Sequence, residues 1–196
     1  VDSEQSSVSS SEPATDYGLP PTDALAHQAA TSPRNDLPDP TPAQKEAGNY
    51  QKGHVTIAGH AISIENPAGS KRRPEWPALK DHYGYFKGTN AIGKDGDHLD
   101  VFVAPETPAD FSGNVFVVRQ NNPDTGRFDE WKVMLGYPSA AAAEAAYRRN
   151  YSKDWKGFGR ISTLSMNHFS RMLEKGLFAK AGTGDAGMSK QPRAAV

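Results

Sequence analysis

Three aspartates in one short loop, directly before an apolar run, constrain this chain more than any other sequence feature. Residues 93–103 read GKDGDHLDVFV, so Asp95, Asp97 and Asp100 fall within six residues. An acidic, glycine-containing segment followed by a β-type apolar run predicts a loop that feeds a strand. Like charges this close repel one another unless a cation or a proton compensates. The stretch therefore predicts a cation site, and its oxygen ligands favour Mg²⁺, Mn²⁺ or Ca²⁺ over zinc.

Two simpler interpretations of this loop compete with a metal enzyme. An Asp- and Gly-rich segment is often only a solvated turn. An EF-hand calcium loop counted from Asp95 fits the acids at its first and third positions and Glu106 at its twelfth. However, Leu99 stands at the fifth position, and Asp100 replaces the glycine required at the sixth. The features found elsewhere in the chain favour the metal-enzyme interpretation.

The composition excludes several kinds of site. The 196 residues contain no cysteine, so disulfides, thiolate metal sites and cysteine nucleophiles are ruled out. Neither a signal peptide nor a membrane-spanning segment is evident, so we expect a cytoplasmic protein without a membrane partner. Residues 49–181 carry eighteen Lys and Arg against fourteen acids, a bias too weak to predict specific nucleic-acid binding.

The composition also predicts three segments. Residues 1–48 are acidic and rich in Ser, Pro, Thr and Ala without an apolar period, which predicts a disordered arm or linker. Residues 49–180 form the expected domain, and residues 181–196 a loose tail. The start at Val1 rather than Met suggests a piece of a longer polypeptide.

The domain begins with strands and ends with helices. Two alternating runs flank Ala58 and Gly59, which predicts a β-hairpin. Ser139 and Ser165 each precede a helix-forming run and are expected to cap its first turn. The predicted helices are 139–150 and 166–177, and the predicted strands are 54–57, 60–64, 83–87, 99–104, 115–119, 131–135 and 161–164.

Charged residues lie on both sides of the acidic loop. The run Lys71, Arg72 and Arg73 is either a solvated surface or, near metals, a clamp for phosphate. A turn over 121–127 is expected to join two strands and to carry further charges. Histidines at 54, 60, 82 and 168 lack motif spacing, so we expect them to be structural or on the surface.

Several of these segments together resemble the family I soluble inorganic pyrophosphatases. Residues 95–101, DGDHLDV, resemble the D-G-D-P-x-D-V signature, with His98 in place of proline. Residues 83–85 look like the end of the N-Y-G-Y element, and residues 64–68 resemble E-I-P-A. Asp124, the pair 129–130, Lys132, Tyr151 and Lys153 follow in the family's order.

This resemblance implies a fold and an activity. The fold is α+β, a small, twisted, closed β-barrel of OB-like type with two C-terminal helices packed outside. The activity is hydrolysis of inorganic diphosphate to two phosphates, with Mg²⁺, or Mn²⁺ in its place, as cofactor. Implied catalytic residues are Asp97 as general base, Tyr83 and Lys132. Implied substrate-binding residues are Lys71, Arg72, Arg73, Tyr151 and Lys153, and implied metal ligands are Glu65, Asp95, Asp100, Asp124, Asp129 and Glu130.

The departures from the family pattern leave alternatives open. The segment between Glu65 and Tyr83 is short, and the spacing does not decide whether Asp129 or Glu130 is the ligand. Such compact versions resemble domains within large proteins of phages and conjugative elements. They imply a parent polypeptide or a homo-oligomer, and a location that is virion-associated or in a host cell. A non-catalytic binding module and a hydrolase of a nucleotide diphosphate are the alternative functions.

Overall fold

A computed structural model describes residues 20–93 and 95–179, in which one mixed sheet carries helices on both faces. Its strands are rich in β-branched and aromatic residues between Gly, Pro and Asn turns, and the central ones are nearly continuous apolar runs because both faces of the sheet are covered. The elements in chain order are α1 Thr22–Gln28, α2 Pro42–Ala47, β1 Gly53–Ile57, β2 His60–Asn66, β3 His82–Phe86, β4 Asp100–Val103, β5 Asn114–Asn121, β6 Phe128–Leu135, α3 Ala140–Arg149, β7 Phe158–Ser165, α4 Met166–Glu174 and a 3₁₀ turn Leu177–Ala179.

The seven strands lie in the order β1-β2-β3-β4-β6-β5-β7. Every neighbouring pair is antiparallel except β4 and β6, which run parallel because β5 lies on the far side of β6. β1 and β7 are the two edges, so hydrogen bonds do not close the sheet among the described strands. The α+β class is confirmed, whereas the closed barrel is not shown.

Two glycines within the first three strands and the turns between them occupy positions where another residue would be strained or would clash. Ala58 and Gly59 both have positive φ, 50° and 79°, which gives the β1–β2 hairpin the turn that its sequence predicts. Gly84 lies where β3 crosses closest to β2, and a Cβ there would lie 1.9 Å from the carbonyl oxygen of Ser63. Only glycine permits that approach.

The sheet separates two hydrophobic cores. On one face, α4 packs Phe169 against β-strand residues such as Phe86. On the other face, α3 packs Tyr147 in a cluster that includes Phe102 and Tyr83. Because successive strand residues point to opposite faces, His82 and Tyr83 at the start of β3 face different cores.

The structure differs from the predicted disorder of residues 1–48. Within that segment, residues 20–48 form α1 and α2, and Ala26 of α1 is fully buried beside β1. Helix α2 begins with a capping box between Thr41 and Gln44. The prediction for residues 20–48 is wrong because α1 buries small side chains that give no clear apolar period. Residues 1–19 and the predicted tail 181–196 lie outside the described residues.

The two C-terminal helices begin as predicted. The side chain of Ser139 accepts the amide of Ala142, and that of Ser165 accepts the amide of His168. Helix α4 ends at Glu174, earlier than predicted, and β7 is longer than the short strand expected over 161–164. None of the helices in the described residues is long and apolar enough to span a bilayer.

Candidate active site

The parallel pairing of β4 with β6 builds the centre of the candidate site. It places Asp100 directly beside Lys132, which is 32 residues away in sequence. On the other side of β4, Tyr83 of β3 pairs with the residue two after Asp100. All three side chains point to the face of the sheet that carries α3, because their positions share the strand alternation of Phe102 and Met134.

A buried ammonium group links the carboxylates at this centre. Lys132 is 3% exposed, and its Nζ contacts Asp100 Oδ2 and lies 2.9 Å from Glu130 Oε2. The Tyr83 hydroxyl donates to the same oxygen of Asp100 and lies 3.2 Å from Lys132 Nζ. Arg72 Nη2 donates to the Tyr83 hydroxyl at 3.1 Å, with its guanidinium 4.0 Å above the tyrosine ring. The centre therefore contains two cations, Arg72 and Lys132, and two anions, Asp100 and Glu130.

The protonation states follow from burial and charge. Burial disfavours the charge of Lys132, but Tyr83, Asp100 and other nearby groups outweigh it and raise the pKa of Lys132 well above its usual value. Burial raises the pKa of Tyr83 despite the nearby Lys132, so its hydroxyl keeps its proton and donates. Burial also raises the pKa of Glu130, against the opposing effect of Lys132.

A hydrogen-bond network through Gln120 connects Glu130 to buried aromatic residues. Gln120 Nε2 donates to Glu130 Oε1 at 2.7 Å, while its own oxygen accepts the hydroxyls of Tyr147 at 2.6 Å and Tyr151 at 3.0 Å. Trp155 Nε1 donates to the Tyr147 hydroxyl at 2.8 Å. The network fixes the orientation of the Glu130 carboxylate.

Two cavities adjoin this centre. The larger, about 500 Å³, is lined by Asp129, Glu130, Lys132 and Tyr151, among others. The smaller, about 230 Å³, is bounded by the basic run and by two further predicted residues. Arg72 lies on the wall of both. The predicted residues on the smaller cavity are Glu65, Lys71, Arg72, Arg73 and Tyr83.

Glu65 lies on the wall of the smaller cavity and has its own charged partner. Its Oε1 forms an ion pair with Lys52 at 3.0 Å and accepts the Tyr50 hydroxyl at 3.4 Å. Lys52 also lies 3.5 Å from the hydroxyl of Tyr85. These contacts give Glu65 a cationic partner, Lys52, that is itself outside the lining of the smaller cavity.

The other predicted residues lie elsewhere. Asp95 and Asp97 are exposed in the loop before β4, where the amide of Asp97 donates to Asp95 Oδ1 at 3.2 Å. Asp124 is exposed in the β5–β6 turn, and Lys153 is exposed after α3. All four are outside the linings of the two cavities. Their roles in catalysis and binding remain predictions.

A different group of residues has the spacing of metal ligands. Within the described residues, only Asp23, His27 and His82 bring three carboxylate or imidazole ligand atoms within 4.8 Å of one another. Asp23 Oδ1 lies 3.4 Å from His27 Nε2 and 3.2 Å from His82 Nε2. The group lies on the opposite face of β3 from Tyr83, with His82 fully buried.

The hydrogen bond at the other nitrogen of His82 decides how this group is held together. The amide of Ala68 donates to His82 Nδ1 at 3.0 Å, so a neutral ring carries its proton on Nε2, facing Asp23. A metal on Nε2 would require that proton to leave. We therefore interpret the three residues as a charge-assisted node, completed by an ion pair from Arg34 to Asp23.

No sequence pattern predicted the roles of Gln120 and Tyr147 or the grouping of Asp23, His27 and His82. Gln120 and Tyr147 have no motif around them. Only the alternation along β5 would have placed Gln120 on the face of the sheet that carries α3. Asp23 and His27 are four residues apart, which is a helical spacing, but they lie in the segment predicted to be disordered.

Comparisons with known proteins bear on the family. The family model for inorganic pyrophosphatase matches residues 42–174. Among solved structures, the chain is similar to an inorganic pyrophosphatase of Helicobacter pylori, at 16% identity and a TM-score of 0.36. That match covers 65% of this chain and 92% of the other. A search of curated proteins found no match.

Proposed function

This chain belongs to the inorganic pyrophosphatase family, and on that premise we propose that it hydrolyses inorganic diphosphate to two phosphates with a bound divalent cation. The observation that carries the proposal is the buried Lys132, held between Asp100 and Glu130 at the wall of a cavity that also contains Arg72. A site for a highly charged anion needs cations in fixed positions, and the neighbouring carboxylates keep Lys132 protonated despite its burial.

The carboxylates of the site fit a hard cation. Asp100, whose Oδ2 contacts both Tyr83 and Lys132, would be the central ligand of a bound Mg²⁺. Asp129 and Glu130 line the adjoining cavity and would complete that site, with Mn²⁺ as the substitute. A bound cation would neutralise substrate charge and lower the pKa of a water molecule.

The chain's own groups would bind and orient the diphosphate. Arg72 offers a planar pair of N–H donors to a phosphoryl oxygen, whereas Lys132 offers a point charge. The Tyr83 hydroxyl would orient the attacking water or a phosphoryl oxygen. Tyr151, on the wall of the same cavity, would contact the second phosphate. Lys71, Arg73 and Lys153 would form the outer cationic rim.

The remaining assignments follow the family resemblance. Asp97 would accept the proton of the attacking water, while Asp95, Asp124 and Glu65 would assist in metal binding. Asp97 and Asp95 lie in the exposed loop before β4.

The test is phosphate release from diphosphate by the full chain, with Mg²⁺ and with a chelator. We expect hydrolysis only with Mg²⁺, and a loss of at least about 100-fold in Asp100→Asn, because that change removes the central charge. Asp97→Asn tests the general base separately. Glu106→Gln is the matched control, because Glu106 is exposed just after β4 and outside both cavities. An inactive parent chain, or an Asp100→Asn variant as active as the parent, would refute the proposal.

A further inference from the structure

The larger cavity combines charged and aromatic side chains. Its wall includes the charges already assigned to diphosphate, Arg72, Glu130 and Lys132. The same wall includes Trp76, Pro77 and Trp155, and Trp76 also lines the smaller cavity. The volume, about 500 Å³, falls in the range of roughly 300–1,000 Å³ typical of pockets for larger organic ligands. This volume leaves room for a ligand larger than diphosphate.

Trp76 is the more exposed of the two tryptophans in this cavity. It is 38% exposed, and among the described residues it is the one large apolar side chain that is classed as exposed. It lies between the basic run and β3, with the guanidinium of Arg72 5.5 Å from its ring centre. An indole left in water beside a cationic site is well placed to contact a flat ligand group.

Trp155 and Tyr151 form a rigid aromatic wall in the same cavity. Their rings are stacked at 4.7 Å with an interplanar angle of 12°. The hydrogen bond from Trp155 Nε1 to Tyr147 and that from the Tyr151 hydroxyl to Gln120 fix both rings. A wall held in this way is preorganised to contact an aromatic group with little loss of side-chain entropy.

We propose that the substrate class of this site is a nucleoside phosphoanhydride, with its anhydride at Arg72 and Lys132 and its base against Trp76. Stacking on an aromatic side chain tolerates any base, because every base has a π face. The inference rests on the proposed function, because the residues that would bind the anhydride are those assigned there to diphosphate. It adds that the aromatic side chains of the cavity bind the nucleoside part of the same substrate.

The test is a binding comparison that does not depend on catalysis. Calorimetry with Mg²⁺ would compare α,β-methylene-ADP with methylenediphosphonate, two non-hydrolysable ligands that share the diphosphonate group and differ by the nucleoside. We expect the nucleoside to tighten binding about tenfold in the parent chain. Trp76→Ala should abolish this gain, and Trp76→Phe should keep most of it.

Arg73→Ala is the matched control. Arg73 also lies near the Trp76 ring, at 4.9 Å, but it lines the smaller cavity only. The two ligands should therefore weaken equally, and the nucleoside gain should stay unchanged. A gain of less than about twofold in the parent, or a gain that survives Trp76→Ala, would overturn the inference. In either case diphosphate hydrolysis would still stand. If neither ligand bound, the proposed function itself would be contradicted, and this inference with it.

Discussion

Two charge networks begin at neighbouring residues of β3 and face opposite sides of the sheet. Tyr83 leads to the centre of Asp100, Lys132 and Glu130, which opens onto two cavities. His82 leads to the node with Asp23 and His27, which is closed against helix α1. Buried charge therefore serves two purposes in this chain. Where a cavity adjoins the charges they can act on a ligand, and where a helix covers them they hold the fold together.

The largest expected effect tests the first network. Lys132→Met leaves Asp100 and Glu130 partly buried without their shared cation, so the free energy of unfolding should fall by about 3–5 kcal/mol. Diphosphate hydrolysis should fall by at least about 100-fold. Urea denaturation and phosphate release measure the two quantities. The double variant with Asp100→Asn should be less destabilised than Lys132→Met alone, because one uncompensated charge is gone. Additive losses would contradict this explanation.

The second effect is a pH dependence that belongs to the node. Burial lowers the pKa of His82 to about 4, against about 6.5 for an unfolded histidine, and opposing effects of Asp23 and Asp81 do not restore it. His27 and Arg34 act in the same direction as burial. As the pH falls below 6.5, His82 takes up a proton in the unfolded chain before it does so in the folded chain. The free energy of unfolding therefore decreases between about pH 6.5 and about pH 4.

This loss should reach about 3 kcal/mol at most and should appear in urea denaturation at a series of pH values. Titration of the His82 ring by NMR in the folded chain measures the same shift without a variant. A ring that titrates near its ordinary value would contradict the assignment of His82 to a buried, neutral state.

A smaller effect separates the two networks directly. Asp23→Asn removes the charge shared by His27, His82 and Arg34 and should lower the free energy of unfolding by about 1–3 kcal/mol. Activity below the unfolding transition should change by less than about twofold, because Asp23 faces away from Tyr83. If Asp23→Asn reduced hydrolysis as strongly as Lys132→Met, the two faces of β3 would not be functionally distinct.

The smallest effect is that of Tyr83→Phe. This change removes a hydroxyl that contacts Arg72, Asp100 and Lys132 while keeping the ring under the guanidinium. The expected loss in kcat/KM is only roughly fivefold, equivalent to about 1 kcal/mol, because Lys132 and Asp100 keep their direct ion pair. Stability should change by a similar amount. An unchanged kcat/KM would show that the hydroxyl has no part in binding or orientation.

Local signals in the sequence predicted most of the elements and the family. Alternation and turn residues located the first hairpin, and Ser139 and Ser165 located the helix starts. The resemblance to inorganic pyrophosphatases is confirmed by the family match. The missed helices α1 and α2 are only seven and six residues long. Their stability comes from packing and capping rather than from a periodic apolar face.

Local sequence patterns specify most of the strands, turns and caps, and they identify side chains with the chemistry for phosphate and metal. These are properties of neighbouring residues, which steric preference and local hydrogen bonding decide. Which charges meet depends instead on the tertiary structure. The parallel pairing of β4 with β6 brings Lys132 to Asp100, and the packing of α1 brings Asp23 to His82. Both depend on the register and docking of segments far apart in the chain, and no local pattern specifies them.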